Sequence, residues 1–166
     1  MNTGQSLLSI GALLILSLTI LRVNNSILTT DSIMQDSKLG ILSISLATSL
    51  IEEASKKAFD AASADDAVLS VSELTSPSSL GPGTSEDPNN SSTFNDFDDY
   101  NGYTKMDTIN TIDYKLTCTV NYINPDNVDG IVMARTWHKK ITIDVTSSLM
   151  TDTLRFSTVY SYWKFR

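Results

Sequence analysis

The chain contains few of the residues that disulfide-stabilised domains and thiolate metal sites need. It has a single cysteine, Cys118, among 166 residues. One cysteine excludes an intramolecular disulfide and a zinc site built from several thiolates. Because Cys118 occupies an apolar position in an alternating pattern, we expect it to be buried as a small hydrophobic side chain.

Histidine is equally scarce, and this argues against an enzyme. The one histidine, His138, lies in the run Trp137-His138-Lys139-Lys140. No nucleophile motif such as Gly-x-Ser-x-Gly accompanies it, so we expect an exposed histidine at the end of a strand. A glycine-rich phosphate loop is also missing, since Gly81-Pro82-Gly83 predicts only a turn. The sequence therefore predicts neither an enzyme nor a bound cofactor.

Basic residues are outnumbered by acidic ones. The chain has 12 Lys and Arg against 19 Asp and Glu, a formal net charge of −7. No basic patch and no RNA-binding aromatic motif is present, so we expect no nucleic-acid partner. A net negative charge of this size suits a domain that must stay soluble outside the cell.

Charge is missing altogether from one long apolar run, Leu7–Leu21. Two interpretations compete, a cleaved secretory signal and a retained membrane anchor. The residues before the run include no Lys or Arg, and no small-x-small cleavage site follows it, which favours the anchor. Arg22 behind the run favours a cytoplasmic position for the following residues, but the acidic, Thr-rich remainder of the chain favours export, and we give export the greater weight.

A second helical pattern continues the apolar run. Proline is absent before Pro77, and apolar residues recur every four positions to form one stripe. The stripe consists of Leu42, Leu46, Leu50, Ala54 and Ala58, with Leu39, Ala47 and Ile51 beside it. One helix from about Leu7 to Phe59 is predicted. Two separate helices are the alternative, because Asn24-Asn25-Ser26, Thr29-Thr30 and Gly40 are weak helix formers.

Residues 63–110 change in composition and predict an exposed, variable loop region. Turn-forming residues dominate 76–92, which contains almost no apolar side chain. Four oxygen-bearing residues near its end form a weak candidate for a Ca²⁺ site: Asp96, Asp98, Asp99 and Asn101. The spacing of an EF-hand is not met, because Thr108 stands where the bidentate Glu should be. A solvated acidic turn is therefore the favoured interpretation.

The last third of the chain, residues 111–166, predicts an antiparallel β-sheet of three or four strands. Apolar and polar residues alternate from Ile112 to Tyr122 and again from Leu154 to Trp163. Between them, a run from Ile131 to Val145 ends in the alternating residues Ile141, Ile143 and Val145. Short turn-rich connections such as 124–127 favour antiparallel neighbours. The apolar face of this sheet needs a cover, and the stripe on residues 39–58 is suited to that role. The fold class predicted is α+β.

This order of segments resembles the type IV pilins and the pseudopilins of secretion systems, as a divergent or minor subunit. The resemblance rests on a short leader ending in Gly4, an immediate apolar helix (5–25), an amphipathic extension (26–62), a variable loop and a C-terminal sheet. In that family a prepilin peptidase cuts after the leader glycine, which here implies a leader of residues 1–4 and a methylated N-terminus at Gln5. The family usually has Glu where this chain has Ser9, which favours a minor or divergent subunit.

The resemblance implies a structural subunit of a pilus-like or pseudopilus filament. Such a subunit waits in the inner membrane among lipids and then joins a homopolymer or a polymer with other pilin-like subunits at the cell surface, with the help of inner-membrane assembly machinery. The assembly surface would be the apolar helix, through Leu7, Leu8, Ser9, Ile10, Gly11, Leu13, Leu14, Leu16, Leu18 and Leu21. The alternative is a monomeric, membrane-anchored binding or interaction module outside the cytoplasm.

Overall fold

A computed structural model describes residues 2–162 of the chain. It contains one α-helix and five β-strands. The helix is α1 (Thr3–Ser55), and the strands are β1 (Thr104–Ile109), β2 (Ile112–Asn124), β3 (Asn127–Ile131), β4 (His138–Ser147) and β5 (Leu154–Ser161). Five short 3₁₀ turns lie between the helix and the sheet. The α+β class expected from the sequence is confirmed.

Helix α1 is continuous, as the absence of proline predicts. The polar residues flagged as weak points do not interrupt it, and two threonines there hydrogen-bond to carbonyl groups of the same helix. Thr29 Oγ1 donates to the carbonyl of Asn25 at 2.9 Å, and Thr30 Oγ1 donates to that of Ser26 at 2.9 Å. The chain nevertheless forms two compact units, which divide between Gly40 and Ile41.

The sheet is antiparallel throughout, with strand order β1-β2-β4-β5, and β3 pairs with the far end of β2. The sequence predicts three or four strands, and the additional ones are β1 and the short β3. The run expected to start at Ile131 divides at that point, since β3 ends at Ile131 and β4 begins at His138. Trp163, expected at the end of the last strand, lies outside the described residues.

Strand β1 belongs to the region expected to be loop, and its side chains explain why. The positions that face the sheet interior include Lys105 and Asp107, so apolar alternation is missing. The strand is joined to β2 by a two-residue turn, in which Asn110 and Thr111 both have positive φ, 50° and 68°. This is the conformation that right-twisted hairpins prefer, but it usually requires glycine, and a β-branched Thr111 gives no such signal.

The core of the second unit lies between the inner face of the sheet and residues 41–55 of α1. On the strands, alternating residues are buried as predicted: Tyr114, Leu116, Cys118, Val120 and Tyr122 on β2, and Ile141, Ile143 and Val145 on β4. On the helix, Ala47, Leu50 and Ala54 of the predicted stripe are buried. Tyr100, on the segment that leads into the sheet, donates to Glu53 Oε1 of the helix at 2.9 Å. The predicted cover of the sheet is thus confirmed.

The expectation that residues 63–110 are exposed throughout is wrong for their C-terminal part. Phe94, Phe97, Tyr100 and Tyr103 are all buried. Phe94 makes edge-on contacts with Tyr100 and Tyr103, at centroid distances of 5.1 and 5.3 Å. Aromatic residues recurring every three positions supply enough apolar surface to order a segment whose polar composition otherwise favours a loop.

Candidate functional site

The first candidate surface is the apolar helix predicted from the sequence, residues 5–25, which forms part of α1. Its large side chains are exposed on every side, from Leu8 at 76 % to Val23 at 54 %. Within α1, an 18-residue window has a mean hydropathy of 2.1, and none of it is buried. A helix that is apolar all round needs lipid or other protein surfaces around it. By length and composition, α1 is able to cross a membrane.

Three hydroxyl side chains in the uncharged run Leu7–Leu21 are compatible with such surroundings. Ser9 Oγ donates to the carbonyl of Gln5 at 3.0 Å, Ser17 Oγ to that of Leu13 at 2.8 Å, and Thr19 Oγ1 to that of Ile15 at 2.8 Å. Each of these three hydroxyls is therefore paired within the helix and adds no unpaired donor if the helix enters an apolar medium. Ser9 presents no charge.

The second candidate is a buried ionic cluster in the second unit, which the sequence did not predict. Lys139, on β4, has a fully buried side chain. Its Nζ donates to Asp60 Oδ2 at 2.7 Å, to the Phe59 carbonyl at 2.7 Å and to Asp98 Oδ1. The Nζ atom also lies 4.5 Å from the centroid of the Phe59 ring. All three ammonium protons are thus directed at oxygen atoms inside an apolar, aromatic pocket.

Asp60 is held in place by several donors besides Lys139. Its carboxylate accepts hydrogen bonds from the backbone N–H of Thr75, 3.0 Å from Oδ2, and from that of Ala62, 3.2 Å from Oδ1. The Tyr122 hydroxyl lies 3.3 Å from Oδ2. Burial opposes ionisation, but Lys139 and these donors outweigh it and hold the pKa of Asp60 below its usual value. Asp60 is therefore a carboxylate at neutral pH.

Asp96, Asp98 and Asp99 are buried, so the expectation of a solvated acidic turn is wrong. Asp98 contacts Lys139, and Asp99 Oδ2 accepts from the backbone N–H of Asn95 and Asp96 at 2.9 and 3.0 Å. The Asn101 side chain is also engaged, because its amide donates to the Leu80 carbonyl at 2.9 Å and its Oδ1 accepts from the Val120 N–H at 3.0 Å. Among residues 2–162 no group of three or more acidic, His or Cys side chains is arranged to hold a metal.

Burial dominates the titration of these carboxyl groups. Burial and the neighbouring Asp98 raise the pKa of Asp96 to about 9. Burial also raises the pKa of Asp98, against the effect of Lys139, and raises that of Asp99 to about 6. A carboxyl with a raised pKa binds more protons in the folded chain than in the unfolded one. The stability that it contributes is full below about pH 4 and is lost as the pH rises towards the raised pKa.

Because the pKa of Asp96 is raised in the folded chain, we expect that replacing Asp96 by Asn stabilises the fold at pH 8. The amide resembles a protonated carboxyl, and its oxygen can keep the 2.8 Å hydrogen bond from the Asp98 N–H. We expect the free energy of unfolding at pH 8 to rise by at least ~1.4 kcal/mol, the equivalent of one pKa unit. Urea unfolding at pH 5 and pH 8 measures it, with the exposed Asp126→Asn as the control. An equal pH dependence in the D96N and parent chains would contradict the raised pKa.

His138 and Cys118, which were also singled out from the sequence, both pack within the fold. His138 begins β4 but is half-buried, not exposed, and its Nδ1 lies 2.8 Å from Ser161 Oγ. Cys118 is buried and unpaired, as expected, and burial raises the pKa of its thiol to about 12. A thiol with so high a pKa is a poor nucleophile at neutral pH.

A signal for Lys139 was present in the sequence. Lys139 has the same parity as Ile141, Ile143 and Val145, so it lies on the inward face of β4, opposite Tyr122 of β2. A lysine at an inward position requires buried acceptors. The acceptors themselves, Asp60 and Asp98, are 79 and 41 residues away in the chain, and no local pattern connects them to it.

Comparison with known proteins identifies no family for this chain: no family model, no curated protein and no solved structure matches it.

Proposed function

We propose that the chain is a structural subunit of a pilus-like or pseudopilus filament at the cell surface, assembled through the apolar helix. Its closest fit is to a minor or divergent subunit, because Ser9 replaces the acidic residue of ordinary pilins. The observation that carries the proposal is the exposure of the apolar helix on all sides, in a chain whose second unit has its own buried core.

The size of the exposed surface supports assembly. Ten large apolar residues between Leu7 and Leu21 are each more than half exposed. At ~1.5–3 kcal/mol for each large side chain, removing them from water is worth about 15–30 kcal/mol. Membrane lipid supplies that environment before assembly, and neighbouring copies of the helix supply it afterwards. The paired hydroxyls of Ser9, Ser17 and Thr19 make both environments acceptable.

Gly11 favours helix–helix contact over lipid contact alone. A Cβ atom added at Gly11 would meet no atom within 4 Å, so nothing else in the chain requires a glycine there. Glycine lowers the stability of a helix interior by about 1 kcal/mol relative to Ala. Small residues of this kind allow helices to approach closely in apolar surroundings. We propose that Gly11 and the neighbouring Ala12 form the contact surface between subunits.

Electron microscopy with mass spectrometry of sheared cell-surface material tests the proposal. Filaments should contain this chain, beginning at Gln5 with the leader Met1–Gly4 removed by a prepilin peptidase. Filaments that contain the chain with the leader intact would contradict processing. Absence of the chain from every filament would favour the alternative, a monomeric membrane-anchored module, which the same apolar helix could also support.

Replacing Gly11 by Leu separates assembly from folding. The open space around Gly11 predicts an unchanged or slightly more stable helix, whereas the added side chain should keep neighbouring helices apart. We expect filament yield to fall at least tenfold while the amount of membrane-bound subunit stays the same. Ile15→Leu, a substitution of nearly equal volume on the same helix, is the matched control. Normal filaments from G11L chains would show that Gly11 lies outside the contact.

A further inference from the structure

We propose that Lys139 and Asp98 react with each other to form an isopeptide bond, which covalently ties β4 to the segment that precedes β1. The proposal is independent of filament assembly, since both residues belong to the second unit. It requires no enzyme, metal or oxidant, because a lysine amine and a carboxyl group give an amide and water.

The reacting atoms are already in contact. Lys139 Nζ donates directly to Asp98 Oδ1, so the nitrogen lies next to the carboxyl group whose carbon it would attack. The side chains of Lys139 and Asp60 have no exposed surface, and that of Asp98 is 2 % exposed. Such fixed proximity replaces a bimolecular encounter and raises the effective concentration of the amine by many orders of magnitude.

The surroundings of the two reacting groups are apolar and aromatic. Lys139 Nζ lies 4.5 Å from the Phe59 ring centroid and 5.4 Å from that of Tyr122. Burial raises the pKa of Asp98, so its oxygen accepts a proton more readily than that of an ordinary carboxylate and can leave as water.

Asp60 is positioned to move the proton. It contacts the same Nζ at 2.7 Å, and its lowered pKa keeps it a carboxylate, so an acceptor for the ammonium proton is already in place. Asp96 has a different role. With a pKa of about 9 it carries a proton at neutral pH, and its Oδ1 accepts a hydrogen bond from the Asp98 backbone N–H at 2.8 Å. A protonated Asp96 therefore places no second negative charge beside the Asp98 carboxyl group.

The atoms and charges balance in three steps. Asp60 takes one proton from the Lys139 ammonium, which leaves a neutral amine. The nitrogen lone pair then forms a bond to Cγ of Asp98, and the carbonyl electron pair moves to oxygen. Finally, one proton from the nitrogen and the proton held by Asp60 pass to the leaving oxygen, and the C–O bond breaks. One ammonium and one carboxylate become an amide and a water molecule, and Asp60 is a carboxylate again.

The structure offers the water a way out. Asp98 and Asp96 are among the residues that line a surface cavity of about 320 Å³. The water molecule formed in the reaction can leave through this cavity. An amide between Lys139 and Asp98 would also fasten the domain in a chain whose single cysteine excludes an intramolecular disulfide.

Intact-mass measurement of the denatured full-length protein tests the proposal. We expect a mass lower than that of the sequence by one water molecule. After digestion with trypsin, residues 136–140 should appear joined to residues 58–105, because linked Lys139 is no longer cleaved. Fragmentation must place the link at Asp98. A mass equal to that of the sequence would overturn the proposal, and so would a link placed at Asp60.

Three variants separate the chemistry from mere ion pairing. Lys139→Arg keeps a cation between the carboxylates but lacks a nucleophilic amine, so its mass should match its sequence. Asp98→Asn still offers an acyl group, and it should lose ammonia instead of water. Asp60→Asn removes the base while Lys139 and Asp98 remain, and the linked fraction should fall at least tenfold. Equal linkage in the Asp60→Asn and parent chains would remove Asp60 from the mechanism.

Discussion

Replacing Lys139 by Met will destabilise the second unit by about 3–5 kcal/mol, the usual effect of removing one partner from a buried ionic group. Methionine nearly fills the volume of the lysine stem, so the loss comes from charge and not from a cavity. Without the ammonium, Asp60 and Asp98 face each other as buried carboxyl groups that have lost a common hydrogen-bond donor. Formation of the amide in the parent chain would increase the difference further.

Chemical unfolding in detergent, followed by the fluorescence of the aromatic residues, measures this effect. The matched control is Lys140→Met on the same strand. Lys140 is paired with Asp129, whose side chain is almost fully exposed, at 3.7 Å, so its replacement should change the unfolding free energy by less than ~1 kcal/mol. Equal effects of the two substitutions on the unfolding free energy would show that the buried cluster does not make Lys139 more important for stability than Lys140.

The double variant K139M/D98N identifies the cause. The Asp98→Asn substitution removes one of the two uncompensated carboxyl groups, while Asp60 keeps donors from Thr75, Ala62 and Tyr122. We therefore expect the double variant to be more stable than K139M alone. A double variant that is less stable than K139M would mean that packing, not charge, explains the loss.

The elements that could be predicted from the sequence are those with local periodicity. Helix α1 follows from the absence of proline before Pro77 and from apolar residues spaced by four. Strand β2 follows from strict alternation, which places Tyr114, Leu116 and Cys118 in the core. In each case the pattern is a direct consequence of one face being buried, so it needs no knowledge of distant residues.

The elements that escaped prediction depend on distant or unusual partners. Strand β1 has Lys105 and Asp107 on its inner side, and the turn at Asn110 and Thr111 lacks glycine. The segment around Phe97 is ordered by aromatic contacts, including one with Tyr160 at a centroid distance of 4.8 Å. These contacts join parts of the chain that are far apart in sequence, and polar composition nearby concealed them.

The two candidate sites also differed in how far they could be predicted from the sequence. The apolar helix was evident because its signal is composition alone, a run without charge. The buried cluster was missed because its three charged members come from the segment after the helix, a 3₁₀ turn and β4. Asp98 was considered as a metal ligand, but a carboxylate that coordinates Ca²⁺ and one that contacts a buried lysine look alike in sequence. Only the position of Lys139 on the inward face of β4 distinguishes these two possibilities.

Removing residues 1–28 will convert the protein from one that needs lipid or other copies of itself into a dispersed monomer. Among residues 2–28 none is buried, so the shortened chain of residues 29–166 keeps every described core side chain. We expect its unfolding temperature to be within a few degrees of that of the full-length chain. The full-length chain should sediment with membranes or as polymer, since about 15–30 kcal/mol of apolar transfer opposes its dispersal in water.

Analytical ultracentrifugation in detergent-free buffer distinguishes these outcomes. A full-length chain that sediments as a dispersed monomer would contradict both the filament and the membrane anchor, because each requires an apolar environment for Leu7–Leu21. A shortened chain that still polymerises would place the assembly surface in the second unit. If the apolar helices surround one another, only the full-length chain should form polymer. In that polymer the apolar helices should be protected from protease. A membrane anchor that acts as a monomer would give protection only in lipid.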